Sequence, residues 1–200
     1  SKAKVESMSG GDFYGNEKSV IMEKGGAFKI ELVGKDGTVK VLKDKLNALP
    51  GEVLDGTFMS RNALRKFFAD QIEVARKSGQ LLSVHLKATM MKVSDPLIFG
   101  EVIKAFFPSV YPKFEAKLAS VNLTPDYGIG AILDGLHKLD GGTASAVKAA
   151  IERDLADGPA LYMVNSDKGI TNLHVPSDVI IDASLPVVIR DSGQMWNADG

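Results

Sequence analysis

The sequence predicts an α/β protein with a β-rich N-terminal part. Three observations support this prediction. Short alternating runs broken by glycine fill the first fifty residues, apolar residues recur at helical spacing from Ser60 onward, and short apolar, partly β-branched runs separate the later helices. We therefore predict a β-rich subregion at 1–58 and an α/β subregion at 59–200, with no convincing linker between them.

The β-rich subregion contains three apolar or alternating runs, at residues 20–22, 27–33 and 38–42. Lys35-Asp36-Gly37 separates the last two. Asp-Gly between alternating runs is a strong hairpin signal, because both residues tolerate the backbone angles of a tight turn. We expect a small antiparallel unit here.

The α/β subregion shows helical and strand-like segments in turn. Ser60 is a plausible N-cap for a helix that Ser78-Gly79 ends, and Pro96 fits the first turn of another. The predicted helices run from Ser60 to Ser78 and over 97–107, 129–139 and 144–155, and the predicted strands lie at 81–86, 160–164 and 179–181. Pro108 and Pro112 are interpreted as breaks between elements, and so is Asp140-Gly141-Gly142.

Composition excludes several classes of function. The 24 basic and 25 acidic residues give a net charge of -1, which provides no electrostatic footprint for nucleic acid or an anionic membrane. The absence of cysteine excludes disulfides, thiolate metal sites and a cysteine nucleophile. We expect a cytoplasmic protein with neither nucleic-acid nor membrane partners. Because the chain starts at a serine, we also expect that it was cut from a longer one.

Two glycine-rich stretches are weak matches to phosphate-binding loops. In Gly10 to Gly15, Asn16 stands where such a loop needs lysine. Gly128-Ile129-Gly130 lacks the third glycine of a dinucleotide fingerprint. We interpret both stretches as turns.

The three histidines do not form a metal motif, since no two have the spacing that places both on one helix face. His137 is expected on the surface of a helix. His85 lies within a predicted strand and fits a core position, and His174 lies in a loop.

Two polar residues follow apolar strands, where ligands of α/β sheets collect. Lys87 ends the run Val84-His85-Leu86, and a lysine near other cations can have its pKa lowered enough to transfer protons. Spacing alone favours a lysine that extends from a sheet edge into solvent.

Asp182 ends the second such run, Val179-Ile180-Ile181. A carboxylate there suits a hard cation such as Mg²⁺, although one carboxylate cannot complete a site. Position alone also allows Asp182 to cap a following helix. Asp178, at the strand start, is interpreted as structural.

These segments together resemble one family. His85 to Pro96, Val175 to Trp196, Gly11 to Gly15 and Phe58-Met59-Ser60 are similar to the monomeric NADP-dependent isocitrate dehydrogenases of bacteria. The similarity runs the whole length and includes Ile189 to Trp196. More distantly, the lysine and aspartate segments resemble the metal-dependent decarboxylating dehydrogenases that act on isocitrate or isopropylmalate.

The resemblance implies that residues 1–200 form one partial large domain, of the layered isocitrate/isopropylmalate dehydrogenase-like kind. It implies oxidative decarboxylation of isocitrate to 2-oxoglutarate, with NADP and Mg²⁺ or Mn²⁺ as cofactors. The lysine matching Lys87 serves proton transfer, and the aspartate matching Asp182 is one of the metal carboxylates. Residues that contact NADP are not identified.

This chain corresponds to only part of a family member, which limits what it can do alone. Family members are much longer, so the substrate loop, a catalytic tyrosine and the other metal ligands are expected from the remainder of the parent chain. We expect the isolated chain to be inactive. Two alternatives remain open: a non-catalytic packing or assembly module, and a related dehydrogenase for another 2-hydroxy acid.

Overall fold

The computed structural model describes residues 3–84, 91–175 and 195–199, which fall into two compact units. Met8–Ser60 forms one unit. Arg61 and the described residues after it form the other, together with the residues before Met8. Both helices and strands are present, so the predicted mixed α/β class is confirmed. In the described part of the chain, no helix combines the length and apolar character that crossing a membrane requires.

The N-terminal unit, Met8–Ser60, is built from antiparallel strand pairs. Its elements are α1 (Phe13–Asn16), β1 (Lys18–Ile21), β2 (Gly26–Val33), β3 (Val39–Ala48) and β4 (Val53–Gly56). β1 pairs with β4, and β2 pairs with β3. The predicted hairpin is confirmed: Asp36 accepts hydrogen bonds from the backbone N–H and the hydroxyl of Thr38. β4 was not predicted, and β3 runs six residues beyond the predicted strand.

This unit buries little apolar surface of its own. Ala48 is the one strand residue of the unit that is buried, whereas valine, leucine and isoleucine side chains on the strands remain exposed, Val20, Ile21, Leu32 and Val41 among them. Isolated two-stranded hairpins are marginally stable in water. The exposed apolar side chains are therefore surface that further protein could cover.

The C-terminal unit, from Arg61 onward, is mainly helical. Its elements are α2 (Arg61–Ser78), α3 (Ser94–Phe106), α4 (Tyr111–Ser120), α5 (Gly128–Gly135), α6 (Gly141–Asp157), β5 (Met163–Asn165) and β6 (Ile170–Thr171), with 3-10 turns at Pro125–Tyr127 and Leu136–Lys138. The four predicted helices are confirmed, apart from their ends. α4 was missed because the sequence analysis treated Pro112 as a break, whereas it occupies the first turn of this helix, where proline costs no hydrogen bond.

The ends of two helices have clear causes. Gly79 follows α2 with φ +64°, a conformation that glycine adopts without steric cost. Asp140 caps α6 by accepting a hydrogen bond from the Thr143 N–H at 2.9 Å. The prediction that Asp140-Gly141-Gly142 lies between helices was therefore wrong, because both glycines belong to the first turn of α6 and only Asp140 lies outside it.

The core of this unit surrounds α3. Phe99 and Ile103 of α3, with Phe107 just beyond it, are essentially inaccessible to solvent. The rings of Phe106 and Phe107 meet edge to face at 5.0 Å. Burying each such side chain contributes about 1.5–3 kcal/mol. The same cluster includes residues of the other helices and of the strand layer, Ile132, Ile151, Leu161 and Leu173 among them.

A small layer of extended chain lies beside this core. Leu82 forms a parallel bridge with Leu161, and its carbonyl accepts from the Tyr162 N–H at 3.0 Å. The Tyr162 carbonyl accepts from the Asn172 N–H, and the Met163 N–H donates to the Trp196 carbonyl. The structure describes the predicted strand at 81–86 only as far as Val84. The predicted strand at 160–164 corresponds to the bridge at Leu161 and to β5. The predicted strand at 179–181 lies outside the described residues.

The start of α5 packs closely against the segment that follows β6. Gly128 has φ +85°, and a Cβ there would overlap the carbonyl of His174. The next two N–H groups, of Ile129 and Gly130, donate to the carbonyls of Leu173 and His174 at 2.9 and 3.1 Å. Only glycine satisfies both the backbone angle and the close approach at position 128.

We expect Gly128→Ala to lower the free energy of unfolding by about 3 kcal/mol, because it adds backbone strain and a steric overlap. Gly79→Ala is the matched control, since its φ is also positive but its Cβ would meet open space, and we expect a loss of only about 1 kcal/mol. Urea unfolding of the protein measures both. Equal losses would contradict the packing role of Gly128.

Candidate functional site

The two residues predicted to carry chemistry, Lys87 and Asp182, lie in ranges 85–90 and 176–194, outside the described residues. His85 lies outside them as well. The described chain nevertheless includes the segments that lead to both positions. We call residues 82–84 the first stem and residues 171–175 the second stem.

The first stem belongs to the layer of extended chain. The Leu82 N–H donates to the Ala160 carbonyl at 2.8 Å, and the Leu82 carbonyl accepts from Tyr162 at 3.0 Å. These two hydrogen bonds, to the residues on either side of Leu161 in the sequence, fix the direction of the stem. Val84, the last described residue of this stem, precedes Lys87 by three positions.

The second stem contacts the first through one buried side chain. Asn172 is only 6% exposed, and its Nδ2 donates to the Val84 carbonyl at 3.0 Å. Its backbone N–H donates to Tyr162. Within the described ranges, Asn172 Oδ1 has no hydrogen-bond partner. A neutral amide is suited to this position, because it joins two backbone segments without burying a charge.

His174 stabilises the turn of the second stem. Its Nδ1 accepts from the Thr171 N–H at 3.0 Å and lies 2.9 Å from the Thr171 hydroxyl. Burial lowers the pKa of His174, which favours the neutral ring at neutral pH. A neutral ring keeps the lone pair that accepts this bond, so the residue has a structural role in the turn. His137 is exposed, as predicted, although it lies on a 3-10 turn after α5.

The interpretation of both glycine-rich stretches as turns was wrong for Gly128-Ile129-Gly130, which begins α5, and holds only in part for Gly10 to Gly15, whose last residues belong to the short α1. Asp12 accepts from the Gly15 N–H at 3.2 Å and caps the short α1, while Asn16 Nδ2 donates to the Phe58 carbonyl at 2.9 Å. At the start of α5, the N–H groups of Ile129 and Gly130 donate to protein carbonyls. The stretch at α5 therefore does not present the row of free N–H groups that cradles a phosphate.

Sequence analysis missed Asn172 as a residue that organises this region. A single asparagine beside a short strand carries no motif, and only the fold shows that it reaches a carbonyl 88 positions earlier in the chain. Among residues 3–84, 91–175 and 195–199, no three His, Asp or Glu side chains are grouped so as to hold a metal ion.

Comparison with known proteins gives consistent matches. The family model for monomeric isocitrate dehydrogenase matches residues 1–200. Proteins named isocitrate dehydrogenase [NADP] from Corynebacterium efficiens and Azotobacter vinelandii are 54% and 50% identical, and isocitrate dehydrogenase [NADP] 2 of Mycobacterium tuberculosis is 36% identical. Each match covers 100% of this chain but 27% of the relative, so the chain spans about a quarter of the relatives' length.

Since the family model extends over the whole chain and relatives well above 30% identity agree with it, the chain belongs to the monomeric isocitrate dehydrogenase family.

Proposed function

We propose that this chain works as part of a longer enzyme that converts isocitrate to 2-oxoglutarate and CO₂ with reduction of NADP. The family match over all 200 residues of this chain supports this proposal, and so do the names of the relatives. The chain's 27% share of those relatives implies that the remainder of the parent chain is its principal partner.

We also propose that the C-terminal unit is part of a layered isocitrate/isopropylmalate dehydrogenase-like domain. Its helices pack around α3, and its extended segments include a parallel bridge between Leu82 and Leu161. Parallel pairing beside helices is the arrangement from which α/β layers are built, because a helix returns the chain between parallel strands.

The observation that carries the site assignment is the hydrogen bond between the two stems. Asn172 Nδ2 on the second stem donates to the Val84 carbonyl on the first. The chain segments that lead to Lys87 and Asp182 are thus held side by side. This supports the proposal that both residues serve one cleft at the ends of extended segments.

Within that cleft, we assign proton transfer to Lys87 and metal ligation to Asp182. A lysine held near other cations has a lowered pKa and can both accept and return a proton at the substrate. The carboxylate oxygen of Asp182 is the ligand type that Mg²⁺ and Mn²⁺ prefer, and other parts of the parent chain would complete the site. When bound, the metal would stabilise negative charge on the substrate, and NADP would accept the hydride.

A packing or assembly role for the N-terminal unit is a second candidate, which the exposed apolar side chains of β2 and β3 favour. Covering this surface would stabilise whichever element lies on it. The role is compatible with the catalytic one, because the remainder of the parent chain could provide the cover. A related dehydrogenase for another 2-hydroxy acid is the third reading, which substrate profiling of the full-length protein would distinguish.

In the full-length protein, we expect Lys87→Met to remove most isocitrate turnover with little change in folding, because only the proton-transfer group is lost. Asp182→Asn should weaken metal affinity, since a charged ligand becomes neutral. Steady-state kinetics over a range of Mn²⁺ concentrations measure both effects. Normal turnover in both variants would refute the assigned roles.

We expect Asn172→Ala to lower kcat/KM in the full-length protein by about 10- to 100-fold, because the two stems lose the side chain that joins them. Asn165→Ala is the control, since its side chain accepts from the Lys168 N–H within a turn of the same layer and makes no other hydrogen bond to the described residues. Circular dichroism should confirm that both variants fold. Equal kinetics for the two would show that the contact does not position the site.

The isolated 200-residue chain should show no isocitrate-dependent reduction of NADP, because positioned groups from the rest of the parent chain supply most of the acceleration. A spectrophotometric assay at high protein concentration measures this directly, with the full-length protein as the positive control. Turnover by the isolated chain would overturn the proposal that it works only as a part.

A further inference from the structure

The turn at residues 171–174, which we call the histidine turn, closes around one titratable side chain. The His174 N–H donates to the Thr171 carbonyl at 3.0 Å, and the ring folds back so that Nδ1 accepts from the Thr171 N–H at 3.0 Å. The Thr171 hydroxyl lies 2.9 Å from the same Nδ1, and its oxygen accepts from the Leu173 N–H at 3.2 Å. The imidazole nitrogen is therefore the acceptor at the centre of the turn.

The histidine turn holds three other segments of the C-terminal unit. Two N–H groups at the start of α5 donate to carbonyls of the turn. Asn172, within the turn, donates from its backbone to the Tyr162 carbonyl and from its side chain to the Val84 carbonyl. Opening the turn would release α5, the segment before β5 and the first stem together, as one step of local unfolding.

Within the described ranges, no charged side chain balances a proton on the His174 ring. Residues 128–133, the first stem and residues 170–173 carry no charged side chain. None of the titratable residues nearest to these segments in the sequence contributes to the pKa of His174, which burial lowers. They are Asp126, Tyr127, Asp134, Tyr162, Asp167 and Lys168.

Protonation would place a donor where the turn needs an acceptor. The imidazolium form has an N–H at both nitrogens and no lone pair left to accept a hydrogen bond. The Thr171 N–H, 3.0 Å from Nδ1, would then face a second N–H. The ring would also carry an unpaired charge in a half-buried position, which adds a desolvation cost.

We propose that the histidine turn is an acid-sensitive latch of the C-terminal unit. With a neutral His174 ring, the turn is closed and holds α5, the first stem and the segment before β5 together. With a protonated ring it opens and releases these contacts, while the core around α3 stays folded. The latch goes beyond the proposed function, because it does not depend on the roles assigned to Lys87 and Asp182.

The direction of the pH dependence follows from the lowered pKa of His174. Above the ordinary value of 6.5, both the closed and the open turn hold a neutral ring, and closure is most favourable. As the pH falls below 6.5, the open turn takes up a proton first, so opening becomes easier. The effect levels off below the pKa of the closed turn, where both forms are protonated.

Amide hydrogen exchange of the full-length protein at about pH 7.5 and about pH 5.5 tests the latch. After correction for the intrinsic pH dependence of exchange, we expect peptides over 128–135 and 170–175 to exchange at least about threefold faster at the lower pH. A peptide over α3 is the internal control for global stability and should not change. Equal protection of 128–135 and 170–175 at the two pH values would overturn the proposal.

A pair of variants assigns the acid response to one ring. His174→Asn offers an amide oxygen near the position of Nδ1 but cannot be protonated, so its exchange should be as slow at low pH as at high pH. His137→Asn, at an exposed ring whose Nδ1 lies 2.8 Å from the Asp134 carbonyl, should keep the full response. Melting temperatures confirm that both variants fold. An acid response that persists in folded His174→Asn would contradict the latch.

A measurement on the unmodified protein gives the same test without a variant. Slow exchange of the imidazole C2 hydrogens, followed by mass spectrometry across the pH range, gives the pKa of each histidine. We expect His174 to titrate below 6.5, and the faster amide exchange of the histidine turn to begin as the pH falls below 6.5. A His174 pKa at or above 6.5 would refute the latch.

Discussion

The arrangement of the two stems depends on a short ladder of backbone hydrogen bonds that links distant parts of the chain. Leu82 contacts the segment around Leu161, Tyr162 contacts Asn172, and Met163 contacts Trp196. Leu161 belongs to the core around α3, and Leu82 packs against that core. The ladder explains why the stems before Lys87 and Asp182 lie together although 95 positions separate those two residues in the sequence.

Local sequence signals predicted four helices and the β2–β3 hairpin, but not how these elements are arranged. Helical spacing predicted α2, α3, α5 and α6, because each presents an apolar stripe to the core. Asp-Gly predicted the β2–β3 turn for an equally local reason. The missed helix α4 shows the limit: proline is favourable in a first turn and disruptive elsewhere, and sequence alone did not distinguish the two.

The candidate site was less predictable, since its organising contact spans 88 residues. Lys87 and Asp182 were identified by strand-end position and by resemblance to a family. Neither signal points to Asn172, whose role depends on which carbonyl its amide reaches.

The two units also differ in how far they bury their apolar side chains. In the C-terminal unit, large apolar side chains are inaccessible and the fold has a core of its own. In the N-terminal unit, strands are paired but their apolar side chains stay exposed. A longer parent chain accounts for this difference, because the exposed apolar side chains of the N-terminal unit can then pack against the remainder of the protein.

The most direct test of the central claim is a crystal structure of the full-length protein with isocitrate and Mn²⁺, in which the positions of the Lys87 Nζ and the Asp182 carboxylate are measured. The account predicts that both groups face one cleft and contact the same bound substrate and its metal. Side chains that point to opposite faces, or a substrate bound away from both, would contradict it.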